Sequence, residues 1–111
     1  MAAALTSLCA CGGAQTQLLA PVKFGELIET AHNLTLLDVR TPEEYGEGHI
    51  PGAINIDWTG DGFAEKVKSE VQTGDKLAIY CRSGRRSAEA ANNLTNDGYR
   101  VADLDGGVLA W

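Results

Sequence analysis

Along this chain short apolar runs alternate with stretches in which apolar residues recur every three or four positions. After Pro21, residues Phe24, Leu27, Ile28 and Ala31 repeat at i, i+3, i+4 and i+7, the stripe of a helix packed on one face. Leu34 to Val39 is a mostly apolar run that predicts a buried parallel strand, with Asp38 and Arg40 emerging at its end. Thr41-Pro42-Glu43-Glu44 is a helix start: Thr41 caps, Pro42 occupies the first turn and Glu44 completes a capping box. Gly46 and Gly48 keep that helix short. His49-Ile50-Pro51-Gly52 predicts a turn into a strand from Ala53 to Ile56, followed by a polar loop from Asp57 to Gly62. Phe63, Ala64, Val67 and Val71 mark a third helix, and Gly74-Asp75 turns into a strand from Leu77 to Tyr80. From Ser87, alanines and Leu94 fall at helical spacing up to Gly98, a left-handed terminator. Tyr99 to Leu104 form the last strand, and Val108 to Trp111 begin a final turn. Helix alternating with short apolar strand implies an α/β domain whose parallel sheet is covered on both faces.

The pattern places Cys81 where a strand hands over to a helix, and the residues around it change the picture from packing to chemistry. Backbone N–H groups curling toward a helix N-terminus form an anion-holding concavity, and the helix dipole adds about half a positive charge there, which favours a reactive, anionic sulfur. Arg82, Arg85 and Arg86 lie within five residues of that sulfur, and guanidinium groups bind oxyanions through fixed pairs of donors. Gly84 gives the backbone the freedom to close round an atom at the loop centre. Cys81 is therefore a candidate nucleophile and its ligand an anion. A cysteine alone at a strand end reads as an inert small hydrophobe; the arginines and the glycine overturn that reading here. Asp38, Arg40 and Glu44 read as architectural, tying loops together beside strand ends. His49 reads as a turn residue rather than a general base, and His32 as a helix-end residue.

Composition narrows the possibilities. One hundred and eleven residues, 44% of them hydrophobic, make one domain with a modest core. A formal net charge of −6 argues against a nucleic-acid or general membrane-surface partner, yet three of the nine basic residues crowd between Arg82 and Arg86. A local positive site in an acidic body suits small-anion capture. Residues 1–17 differ in kind, being small, apolar and uncharged, and they read as a disordered tail or the remnant of a secretion signal. Leu8-Cys9-Ala10-Cys11 resembles a bacterial lipoprotein box in which Cys11 becomes the lipidated first residue, which leads to an expected periplasmic or cell-envelope location and a lipid anchor in the precursor. Without such a signal the expectation is cytoplasmic. Three cysteines and two histidines give no structural zinc set, and no disulfide is expected.

The run from Cys81 to Ser87, with Asp38-Val39-Arg40-Thr41-Pro42-Glu43-Glu44-Tyr45, His49-Ile50-Pro51-Gly52-Ala53-Ile54-Asn55-Ile56 and Gly106-Gly107, resembles the single-domain rhodaneses, a family of sulfurtransferases. Each piece is weak alone; the four in this order and spacing are specific. The resemblance covers residues 18–111 and implies a single rhodanese domain with a five-stranded parallel sheet flanked by helices on both faces. It implies Cys81 as catalytic residue, Arg82, Ser83, Gly84, Arg85, Arg86 and Ser87 as the substrate-binding loop, no cofactor and no metal. The loop from Cys81 to Arg86 has the six-residue length that in this family goes with sulfur chemistry, whereas related phosphatases carry one residue more. The implied reaction is transfer of a sulfane sulfur from a small anionic donor such as thiosulfate to a thiophilic acceptor, through a Cys81 persulfide, in a protein expected to be monomeric. A rhodanese-fold phosphatase, an arsenate reductase and a non-catalytic sulfur-binding module are the alternatives.

Overall fold

The computed structural model describes residues 16–72 and 75–111. In chain order its elements are β1 (Thr16–Leu19), α1 (Pro21–Thr30), β2 (Leu34–Asp38), α2 (Pro42–Glu47), β3 (Ile54–Asn55), α3 (Phe63–Glu70), β4 (Lys76–Tyr80), α4 (Arg85–Asn96), β5 (Arg100–Leu104) and a 3-10 turn (Gly107–Leu109). The five strands form one sheet in the order β1-β5-β4-β2-β3, with every pairing parallel. The expected α/β architecture, a five-stranded parallel sheet with helices on both faces, is what the chain adopts.

Alternation along β4 divides the core between the two faces. Leu77, Ile79 and Cys81 join Phe63 and Val67 of α3 and Ala90, Ala91 and Leu94 of α4 on one face. Ala78 and Tyr80 join Phe24 of α1, Ile50, Ala53 and Leu104 on the other. Cys81 is thus the last residue of the buried stripe that α3 and α4 cover, and it arrives at the carboxyl end of the sheet already fixed in direction. The neighbouring strands β4 and β2 send their helices to opposite faces, α4 to one and α2 to the other. Such a divergence opens the crevice in which parallel sheets carry their sites.

Element boundaries depart from the sequence reading in ways that have physical causes. The helix expected from Ser87 starts at Arg85, because Gly84, at φ 103°, caps it in the left-handed conformation and brings both arginines into the first turn. The strand expected over Ala53–Ile56 pairs only at Ile54–Asn55, at the sheet edge. β1 was not apparent in the hydrophobic pattern and begins at Thr16, so Thr16 and Gln17, assigned above to the tail, belong to the sheet through their pairing with Val101 and Ala102. The strand is an exposed edge of four residues with a burial pattern too weak to stand out. Cys9, Cys11 and the lipoprotein-like segment lie outside the described residues, as does Gly74 of the expected turn. Among the described residues no helix is long and apolar enough to cross a membrane.

Candidate functional site

The site is built from the four residues between β4 and α4 and from what holds them. Cys81 is 1% exposed, and its Sγ accepts a hydrogen bond from the Gly84 N–H at 3.0 Å. The loop therefore curls until a backbone donor three residues on points back at the sulfur. Its outer side is fixed by the Gly106-Gly107 corner: Val108 N–H donates to the Cys81 carbonyl at 2.8 Å and Leu109 N–H to that of Arg82 at 3.0 Å. This corner has to be glycine. At Gly107, φ is +65° and a Cβ would lie 2.4 Å from the Arg82 carbonyl oxygen and 2.7 Å from that of Cys81.

The arginines divide into two kinds. Arg82 and Arg85 are exposed and have no ion-pair partner among the described residues. Arg86 is held: its Nη1 donates to Glu44 Oε1 at 2.8 Å and its Nη2 to Oε2 at 3.0 Å, a bidentate pair across the crevice from α4 to α2. Glu44 also accepts from the Thr41 N–H at 3.0 Å, so the capping box and the loop share one carboxylate. The Arg86 guanidinium, helped by Thr41, holds the Glu44 carboxyl down to about 2. Glu44 in turn raises Arg86, with Cys81 and Asp57 adding to the effect. Arg86 therefore sits beside the sulfur as a fixed charge, its paired donors engaged by Glu44, where the sequence reading had it as a ligand-gripping side chain like the other two.

Ser87 is corrected more fully. It is entirely buried, and its hydroxyl donates to the Gly84 carbonyl at 3.3 Å, so it supports the cradle from beneath and has no surface to offer a substrate. Asp103, a polar residue within an apolar strand, is 1% exposed on β5. Burial pushes its carboxyl up to about 6, with Ser87 opposing the shift and Asp105 adding to it.

Asp38 and Arg40 are architectural, as expected. Arg40 Nε donates to Asp38 Oδ1 at 3.0 Å and Nη2 to Oδ2 at 2.7 Å, while the same Nη2 reaches the Gly48 carbonyl at 2.7 Å. Tyr80 accepts from the Ile50 N–H at 3.0 Å, and burial pushes its phenol up. Together these groups tie the ends of β2 and β4 to the segment before β3. His49 stacks on Tyr45 with ring centroids 3.7 Å apart, and its Nδ1 lies 2.9 Å from the Tyr45 carbonyl. That places it as a turn residue. Among the described residues no cluster of three His, Cys, Asp or Glu side chains could hold a metal.

Residues 20–111 match the family model of the rhodanese-like domain. The chain belongs to the rhodanese-like family. Among its relatives, thiosulfate sulfurtransferase 16, chloroplastic, of Arabidopsis thaliana is 38% identical over 99 residues, covering 76% of this chain and 82% of the relative. A sulfurtransferase of Allochromatium vinosum is 39% identical over 89 residues, covering 79% and 80%. The crystal structure of a rhodanese-like domain protein from Staphylococcus aureus superposes with a TM-score of 0.74 at 26% identity, covering 86% of this chain and 90% of that one. In this rhodanese-like domain the Cys81 loop lies at the carboxyl end of the sheet, between β4 and α4 and against the Gly106-Gly107 corner.

Proposed function

We propose that this rhodanese-like domain is a sulfurtransferase that carries sulfane sulfur on Cys81, taking it from a small anionic donor such as thiosulfate and passing it to a thiophilic acceptor. The observation that carries the reading is the Gly84 N–H aimed at Cys81 Sγ from 3.0 Å, at the N-terminus of a twelve-residue helix. A donor in that position stabilises negative charge on sulfur, both on the attacking thiolate and on the persulfide that follows. In the first half-reaction the Cys81 thiolate attacks the outer sulfur of thiosulfate; the S–S bond of the donor breaks, sulfite leaves with its electron pair, and Cys81–S–S⁻ remains. In the second, the acceptor's lone pair attacks the terminal sulfur: cyanide gives thiocyanate and returns the thiolate. Neither half-reaction calls for an external oxidant. Arg82 and Arg85, exposed at the loop, supply positive charge for the incoming dianion, and Arg86 fixes a third charge beside the sulfur.

A phosphatase uses a comparable cradle, and the two readings separate in one assay. The expected result is thiocyanate formation from thiosulfate and cyanide with ping-pong kinetics, and no hydrolysis of an aryl phosphate by the same preparation. Aryl phosphate turnover without thiocyanate formation would replace the proposal with the phosphatase. We further propose an envelope location, with Cys11 lipidated in the precursor; the support is the lipoprotein-like Leu8-Cys9-Ala10-Cys11 alone.

A further inference from the structure

Among the described residues, Asp103 Oδ1 is a buried side-chain oxygen with no hydrogen-bond partner. A stranded carboxyl oxygen in a core 1% exposed carries a desolvation cost that an apolar residue would avoid. Its surroundings follow from strand alternation. Val101 packs in the core that α3 and α4 cover, so Asp103, two residues on, points to the same face; it stands in register with Ile79 of β4, two residues before Cys81. Ser87, in the first turn of α4, lies against it and donates to the Gly84 carbonyl at 3.3 Å, and Gly84 donates its N–H to Cys81 Sγ at 3.0 Å. A single line of contacts runs from the buried carboxyl to the sulfur.

We propose that Asp103 is a positioning residue for the Cys81 cradle, acting through the single hydrogen of the Ser87 hydroxyl, which either holds the Gly84 carbonyl or turns to the carboxylate. A neutral Asp103 donates its own proton to Ser87 Oγ and leaves the Ser87 hydrogen on the Gly84 carbonyl, 3.3 Å from the hydroxyl oxygen. An ionised Asp103 only accepts, and it draws that hydrogen into a charge-assisted bond. The Gly84 carbonyl is then left with the Ala88 N–H, at 3.1 Å, as its remaining donor. The Gly84–Arg85 peptide, joined through the Gly84 Cα to the N–H that aims at the sulfur, loses one of its two donors. The carboxyl, pushed up to about 6, changes state close to neutral pH. The charged group acting on it is Asp105 at the end of β5; its register partners Ile79 of β4 and Leu18 of β1 carry no charge, and the charges in the first turn of α4 are the exposed Arg85 and the Glu44-bound Arg86. The role of the device rests on Cys81 being the reacting group, but its test does not.

The test is a pH titration of backbone amides by nuclear magnetic resonance in the full chain carrying Cys81→Ser, which removes the thiol's own ionisation. The Gly84 amide is expected to shift with a midpoint near 6, and the shift is expected to vanish in Asp103→Asn and in Ser87→Ala. A Gly84 amide that does not move overturns the proposal. So does one that titrates unchanged in Asp103→Asn, since the shift would then come from another group. Should Asp103→Asn not fold, Ser87→Ala decides: persistence of the Gly84 shift there contradicts a path through the hydroxyl. None of these readouts involves a sulfur donor, so failure of the sulfurtransferase assay and failure of this inference are separate results.

Discussion

At the scale of single residues, the Glu44 carboxylate joins stability to the site. It lies well below its ordinary 4.5, at about 2, because Arg86 and Thr41 bind its charged form. A group whose folded value is depressed contributes stability that is present above the unfolded value and lost as pH falls through the folded one. The Glu44 contribution should therefore be whole above pH 4.5 and decline toward pH 2. Glu44→Gln should lower the unfolding free energy at pH 7 by about 1.5–3 kcal/mol, the range for hydrogen bonds to a charged group, and should flatten the wild-type decline in acid. Urea denaturation at pH 7, 4 and 3 measures both, and equal pH dependence in the two proteins would refute the pairing. The residues of this bridge were partly legible in the sequence. Thr41 and Glu44 announce a capping box by their spacing, but nothing local tells that Glu44 has a second partner 42 residues away. Asp103 was illegible for a related reason: whether a carboxyl at the end of an apolar strand faces solvent or the underside of a helix is decided by register across the sheet.

At the scale of elements, the cradle depends on the 3-10 corner as much as on its own loop. The loop's two outer carbonyls are satisfied by Val108 and Leu109, and only a residue without Cβ can let those donors come so near. Gly107→Ala would place a methyl 2.4 Å from the Arg82 oxygen at a backbone angle that alanine disfavours, so loop and corner must separate. The expected cost is about 2–4 kcal/mol, combining left-handed strain with steric overlap in a buried turn. Cys81 alkylation should slow with it, because the sulfur loses its aligned donor. A variant as stable and as reactive as wild type would show that the corner does not brace the loop. The helices and inner strands could be read from periodicity because each has one buried face or a continuous apolar run. β1 could not, since Thr16–Leu19 is a short exposed edge and carries neither signal.

For the whole molecule, periodicity establishes a parallel α/β sheet, but the strand order was beyond it. The count of five strands came through the family resemblance, as four strands at most are visible in the hydrophobic pattern. The fold's contribution to chemistry is placement: β4 delivers Cys81 in a fixed direction, α4 supplies the helix N-terminus, and the paired strands β2 and β4 send α2 and α4 to opposite faces, so that Glu44 meets Arg86 across the end of the sheet. An acidic chain of net charge −6 thereby carries a cationic loop at one end of its sheet. Whether this loop holds a transferable sulfur is decided by intact mass spectrometry of the protein incubated with thiosulfate alone. The expected result is a gain of one sulfur atom located on Cys81, absent in Cys81→Ser, and removed by cyanide with release of thiocyanate. An unchanged mass with thiosulfate and with other sulfane-sulfur donors, in protein whose Cys81 alkylates no faster than a model thiol, would contradict it.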